Sequence, residues 1–102
     1  MKLSIKDRIV VSNVLPVQGD YMTLKLRKDL LGKIELSQEE FKLVGMEISE
    51  EGNAKWDEKK DPNKDIEITE LESKLIVKSL KELEEKKELN TDTMDIYEKF
   101  VN

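Results

Sequence analysis

From Thr69 to Leu89 the chain reads TELESKLIVKSLKELEEKKEL, and no other stretch constrains the fold as strongly. Leu71, Leu75, Ile76, Leu80 and Leu83 recur about a turn apart, which gathers apolar side chains on one helical face. Thr69 stands where its hydroxyl can accept from a first-turn amide. Glu72 can return a hydrogen bond to the Thr69 amide, completing a capping box. Glu70–Lys74 and Glu82–Lys86 set an acid one turn ahead of a base, each pair adding roughly 0.2–0.5 kcal/mol. A helix over 69–89 is expected, and it should be the spine of the core.

A core of any kind has to be lean here. The chain has 102 residues, one domain's worth, of which 37% are apolar and 40% charged. A charged share of about 25% is ordinary, so most of the surface is ionic. Aromatic residues are few: Tyr21, Phe41, Trp56, Tyr97 and Phe100. Cysteine and histidine are absent, which removes thiolate nucleophiles, imidazole bases, Ser–His pairs and most zinc sites. The chain also carries no glycine-rich phosphate loop and no GxSxG elbow. Catalysis and a bound cofactor are therefore not expected. MKLSIKDR has no signal-like apolar run, and no stretch approaches the ~20 apolar residues of a membrane span. The expectation is a soluble, acidic, cytoplasmic protein.

Ahead of the long helix the pattern changes character twice. Ser4 can cap a first helix with Ile5, Ile9, Val10 and Val14 on one side and Lys6, Asp7 and Arg8 outside, stopped by Pro16. A second helix is expected over 22–34, although Met22, Leu24 and Leu26 alternate as a strand would. Ser37 and Glu40 form another capping box, with Leu36 and Phe41 at the staple positions. That makes Phe41 a core candidate on a third, short helix ending near Gly45. Met46–Ser49, Ala54–Asp57 and Asp65–Ile68 then alternate like short strands around an Asp57–Asp65 loop, DEKKDPNKD, polar enough to be mobile. After the long helix, Thr91 or Asp92 should cap a last helix whose apolar side is Met94, Tyr97, Phe100 and Val101. The sum is an α+β domain over 1–102: five helices, with a small antiparallel sheet at about 46–68.

Three constellations invite a functional reading. The first is Asp61 to Glu72, DPNKDIEITELE. Asp61, Asn63, Asp65, Glu67 and Glu72 fall at positions 1, 3, 5, 7 and 12 of a calcium loop. The stretch resembles an EF-hand loop and implies calcium as an alternative function. Ile66 stands where that family needs glycine, however, and Asp61-Pro62-Asn63 is equally turn chemistry, with Glu72 a cap and no ligand.

The second is the succession of three helices and a ribbon, which resembles a winged helix and implies nucleic-acid binding by the third helix. That helix, QEEFKLV, offers Glu39 and Glu40 beside Lys42, and glutamates facing phosphates repel. Residues 1–36 carry seven basic against four acidic side chains, a net of +3, and the other 66 carry 11 against 19, a net of −8. Only Lys25, Arg27 and Lys28 on the second helix could meet phosphates, and a solvated face explains them as well.

The third is apolar. Trp56 stands alone among charges, as an anchor of the sheet or as a hot spot for a partner. Val77 lies off the main stripe of the long helix, where it would extend a binding patch. Together they point to a protein–protein interaction module with an unidentified protein partner.

Taken in order, LPVQGDYMTLKL, LSQEEF, KWD, the capped helix and the terminal YEKF resemble small bacteriophage and prophage proteins. The resemblance implies a bacterial or viral intracellular setting and brings no site residues with it.

Overall fold

In the computed structural model, which describes residues 1–101, Thr69 caps the long helix α4, Glu70–Glu85. The Glu72 amide donates to the Thr69 hydroxyl at 3.2 Å, and the Thr69 amide donates to the Glu72 carboxylate at 2.9 Å. The helix stops short of Leu89. Lys87 turns into the left-handed region at φ 57°, its amide donating to the Glu84 carbonyl and the Glu88 amide to the Leu83 carbonyl. This is the reversed C-terminal turn usually given to glycine. A lysine there carries a cost of about 1–2 kcal/mol and leaves no sign in the sequence.

The inner face of α4 is Glu72, Leu75, Ile76, Ser79 and Leu80, with Leu83 partly buried. Leu71, expected on that stripe, is exposed, because Glu72 takes the inner place of the first turn. Three more helices enclose this face: α1 (Ile5–Val14), α2 (Tyr21–Ile34) and α5 (Thr91–Val101). Their buried residues include Val10, Val11, Leu30, Ile34 and Ile96. The segment from Tyr21 is thus helical throughout, not part strand. α1 and α4 each pack on both α2 and α5, while α2 and α5 do not meet. The middle pair is flanked on opposite sides.

α5 begins one residue earlier than the expected caps allow. Asn90 is its cap, accepting from the Thr93 amide at 2.9 Å while the Thr93 hydroxyl accepts from the Asn90 amide at 2.8 Å. Its inner positions are Thr93 and Ile96, so Met94 faces solvent and is not part of the apolar side.

The strands form two separate antiparallel ribbons. β2 (Glu47–Ile48) pairs with β3 (Ala54–Lys55), and both are exposed. β4 (Lys64–Asp65) pairs instead with β1 (Lys2–Leu3) at the start of the chain. Burial explains the choice: this pairing sets Leu3 and Ile66 into the core, which the solvent-facing β2–β3 ribbon could not do. Between β3 and β4 the polar loop contains a 3-10 turn, Glu58–Lys60.

The short α3 (Gln38–Val44) has the expected capping box and ends at Gly45, whose φ of 63° suits glycine. Phe41 is only partly buried, and α3 leans on the 3-10 turn rather than on the other helices. What ties it to them is Arg8. Expected outside, Arg8 is only 1% exposed. Its guanidinium donates to the carbonyls of Ile34 and Glu35 at 2.9 and 2.8 Å, and to both Glu40 carboxylate oxygens at 2.6 and 3.0 Å. Each of its three nitrogens donates to at least one acceptor, which is what makes a buried guanidinium tolerable.

Candidate functional site

The most exposed apolar surface in the middle of the chain is built around Trp56, and local hydrogen bonds explain its position. The Asp57 amide donates to the Val44 carbonyl at 2.8 Å, pulling the end of β3 against the end of α3. The Asp57 carboxylate then caps the 3-10 turn by accepting from the Lys59 amide at 3.0 Å. Trp56 is thereby wedged, half-buried, between two open grooves. One, of about 450 Å³, runs past Lys42, Leu43, Gly45 and Lys60. The other, of about 350 Å³, runs past Ser4, Lys6, Glu58 and Asp61. The indole Nε1 is enclosed and has no hydrogen-bond partner. On the same segment Leu43 is 52% and Ile48 62% exposed. The charges at the rim have both signs: Lys42, Lys55 and Lys60 against Glu47 and Asp57.

Val77 does not join this surface. It is half-buried in a shallow groove of α4 beside Ser73, Lys74, Lys78 and Lys81, and the two grooves share no residue. The valine is the one apolar side chain along that groove.

In this structure Asp61, Asp65 and Glu72 of the calcium-like stretch are each held by other partners. Asp61 accepts from the Ile5 amide at 2.8 Å and from the Asn63 amide at 2.9 Å, tying the loop to the start of α1. Asp65 lies in β4 and pairs with the Met1 ammonium at 2.8 Å, which holds its carboxyl below the usual range. The Lys33 ammonium fills the remaining positions, donating to the Glu67 carbonyl at 3.0 Å and the Glu72 carboxylate at 2.7 Å. Burial pushes the Glu72 carboxyl up, but Lys33 and the Thr69 cap outweigh it, so the net shift is downward. Ile66 is buried where the calcium loop needs an open glycine. Among the described residues no three Asp or Glu side chains are grouped to hold a metal ion.

The winged-helix reading meets a similar obstacle. α3 does not cross α2 but rests on the 3-10 turn, and Glu40 on its first turn is committed to Arg8. Lys25, Arg27 and Lys28 do not share one face either. Lys25 and Lys28 project from the outer side of α2, whereas Arg27 is half-buried with its Nε enclosed and unpaired. Among the described residues no helix is long and apolar enough to cross a membrane.

Sequence reasoning missed the Arg8–Glu40 pair altogether. Its electrostatics are strong: the Arg8 guanidinium, with help from Ser37, holds the Glu40 carboxyl down at about 2. One signal did exist. A capping-box glutamate on a short helix with few apolar residues needs a further reason to be fixed, and Arg8 is a cation three residues after Ile5 and three before Val11 on the apolar side of α1. No family model, no curated protein and no solved structure matches the chain.

Proposed function

We propose that this protein is a non-catalytic protein-binding module and that the Trp56 grooves are its contact face. The observation that carries the reading is the exposure of Leu43 and Ile48 on the same segment as the half-buried Trp56, a segment that contributes little to the core. Contiguous apolar surface with a large aromatic at its centre is the usual composition of a partner-binding hot spot. Val77 is a subsidiary contact in this reading. The setting we propose is cytoplasmic and phage-related, as the resemblance of the sequence implies.

The test is capture from bacterial lysate, quantified with and without nuclease and with calcium or chelator. The expected result is one protein retained in stoichiometric amount under all four conditions. A Trp56→Ala/Ile48→Ser variant should lose it, and Val77→Ser should weaken it less. Retention untouched by the double substitution, or dependent on nucleic acid or calcium, overturns the proposal.

A further inference from the structure

The outer sides of α2 and α5 match each other in spacing and oppose each other in charge. On α2, Tyr21, Leu24, Lys25 and Lys28 stand at i, i+3, i+4 and i+7, a single helical stripe facing away from the core. Tyr21 is 76% exposed, and Lys25 and Lys28 carry the positive charge of the stripe. One turn further along the same stripe is Gly32, where an added Cβ would meet nothing within 4 Å. A last-turn glycine with no packing role inside its own chain leaves a flat place where another backbone can approach closely.

On α5, Thr91, Met94, Asp95 and Glu98 occupy the same four spacings. Met94 is half exposed, and Asp95 and Glu98 point to solvent. Lys99 is turned inward, donating to the Asp7 carboxylate at 2.7 Å and the Lys2 carbonyl at 3.3 Å. Lys6 bridges Asp92 at 2.9 Å and Asp95 at 3.8 Å, so the stripe's negative charge rests chiefly on Glu98. Leucine therefore corresponds to methionine, and two lysines to an aspartate and a glutamate, position for position.

We infer that α2 docks on α5 of a second copy of this chain. This surface is separate from the Trp56 grooves and does not depend on their function. Because α2 and α5 flank the α1–α4 pair on opposite sides, the two stripes of one molecule face apart. The contact is then head-to-tail, each copy using α2 toward one neighbour and α5 toward the other, and it does not close on itself as a two-fold pair.

Charge reversal tests this directly by sedimentation velocity across concentration and salt, with circular dichroism as the check on folding. The wild-type chain should grow past two copies at high concentration, and less so in high salt. Lys25→Glu/Lys28→Glu alone, or Asp95→Lys/Glu98→Lys alone, should weaken association roughly tenfold or more, because like charges then meet. Mixing the two variants should restore it, since each acidic stripe again finds a basic one. Gly32→Leu, which has open space in the monomer, should weaken association without unfolding the chain. A wild-type mass that stays at one copy or stops at two, association indifferent to both reversals, a mixture that fails to recover, or unweakened association of Gly32→Leu overturns the inference.

Discussion

The four-helix body and the segment from Ser37 to Asn63 are held by different forces. In the body, Leu3, Ile5, Val11, Leu30, Ile76 and Leu80 are wholly enclosed, and burial of apolar surface is what chiefly holds it together. The segment contributes Val44 alone to the buried apolar residues, and Val44 lies outside the main cluster. Its attachments to the body are polar: the Arg8–Glu40 pair and Asp61 on the Ile5 amide. The comparison shows how a chain with so many charges can carry an appendage its core is too small to bury. Apolar contacts fix the body, and directed ionic contacts fix what is attached to it. An appendage held this way should open before the body does.

The largest effect expected is in the body. Ile76→Ala should destabilise the whole domain by about 2–5 kcal/mol, because the enclosed site leaves a cavity that its rigid neighbours fill only in part. Denaturant unfolding followed by circular dichroism checks it. A loss well under 1 kcal/mol would mean that α4 is not the spine of the core.

Next comes the link between the regions. Glu40→Ala removes the partner of a buried guanidinium and half of a capping box, a loss of about 3 kcal/mol. It should appear first as faster amide exchange over 37–60, with the α4 amides still protected. Simultaneous loss of protection in both regions would show that they unfold as one unit and that the contrast between them is false.

Acid should separate the regions more gently. The Glu40 carboxyl is held at about 2 in the folded chain, against 4.5 for a free glutamate. A carboxyl with a depressed folded value stabilises the fold at pH above its free value. That contribution fades as pH falls from about 4.5 to about 2. Allowing for solvent screening, it is on the order of 2 kcal/mol. Glu72, also depressed, works in the same direction where α2 meets α4. Protection factors over 37–60, taken relative to the intrinsic exchange rate at each pH, should therefore fall between pH 4.5 and 2 in the wild-type chain, and the fall should be largely absent from Glu40→Gln.

Much of the body was legible in the sequence. The reason is that Ser4, Ser37 and Thr69 each announce a helix by side-chain chemistry within four residues. Asp20 does the same through the Thr23 amide at 2.8 Å, which also lowers its carboxyl from the usual value. What depends on distant partners was not legible. Nothing near Asp65 says that its strand pairs with Lys2, nothing near Arg8 names Glu40, and Lys87 gives no hint of a left-handed turn. The calcium-like spacing, which the sequence leaves open beside a turn-and-cap reading, belongs with these cases. Five oxygen-bearing side chains in the right order do not converge when Lys33, from another helix, takes the place of the ion. The Trp56 surface lies between the two cases: the residue was evident as a candidate, its neighbours Leu43 and Lys60 were not.

The smallest effect has the opposite sign and returns to the body's outer surface. Gly32 sits in the last turn of α2 with helical backbone and open space where a Cβ would be. Alanine there restricts the unfolded chain and suits the helix better, so Gly32→Ala should stabilise the monomer by about 0.5–1 kcal/mol. Thermal melts at low concentration, where copies do not meet, isolate that gain. At high concentration the added methyl stands in the path of a neighbour's backbone, and the advantage over wild type should shrink. A glycine retained only by chance would show the same gain at both concentrations, whereas one retained for close approach shows a gain that falls as copies associate.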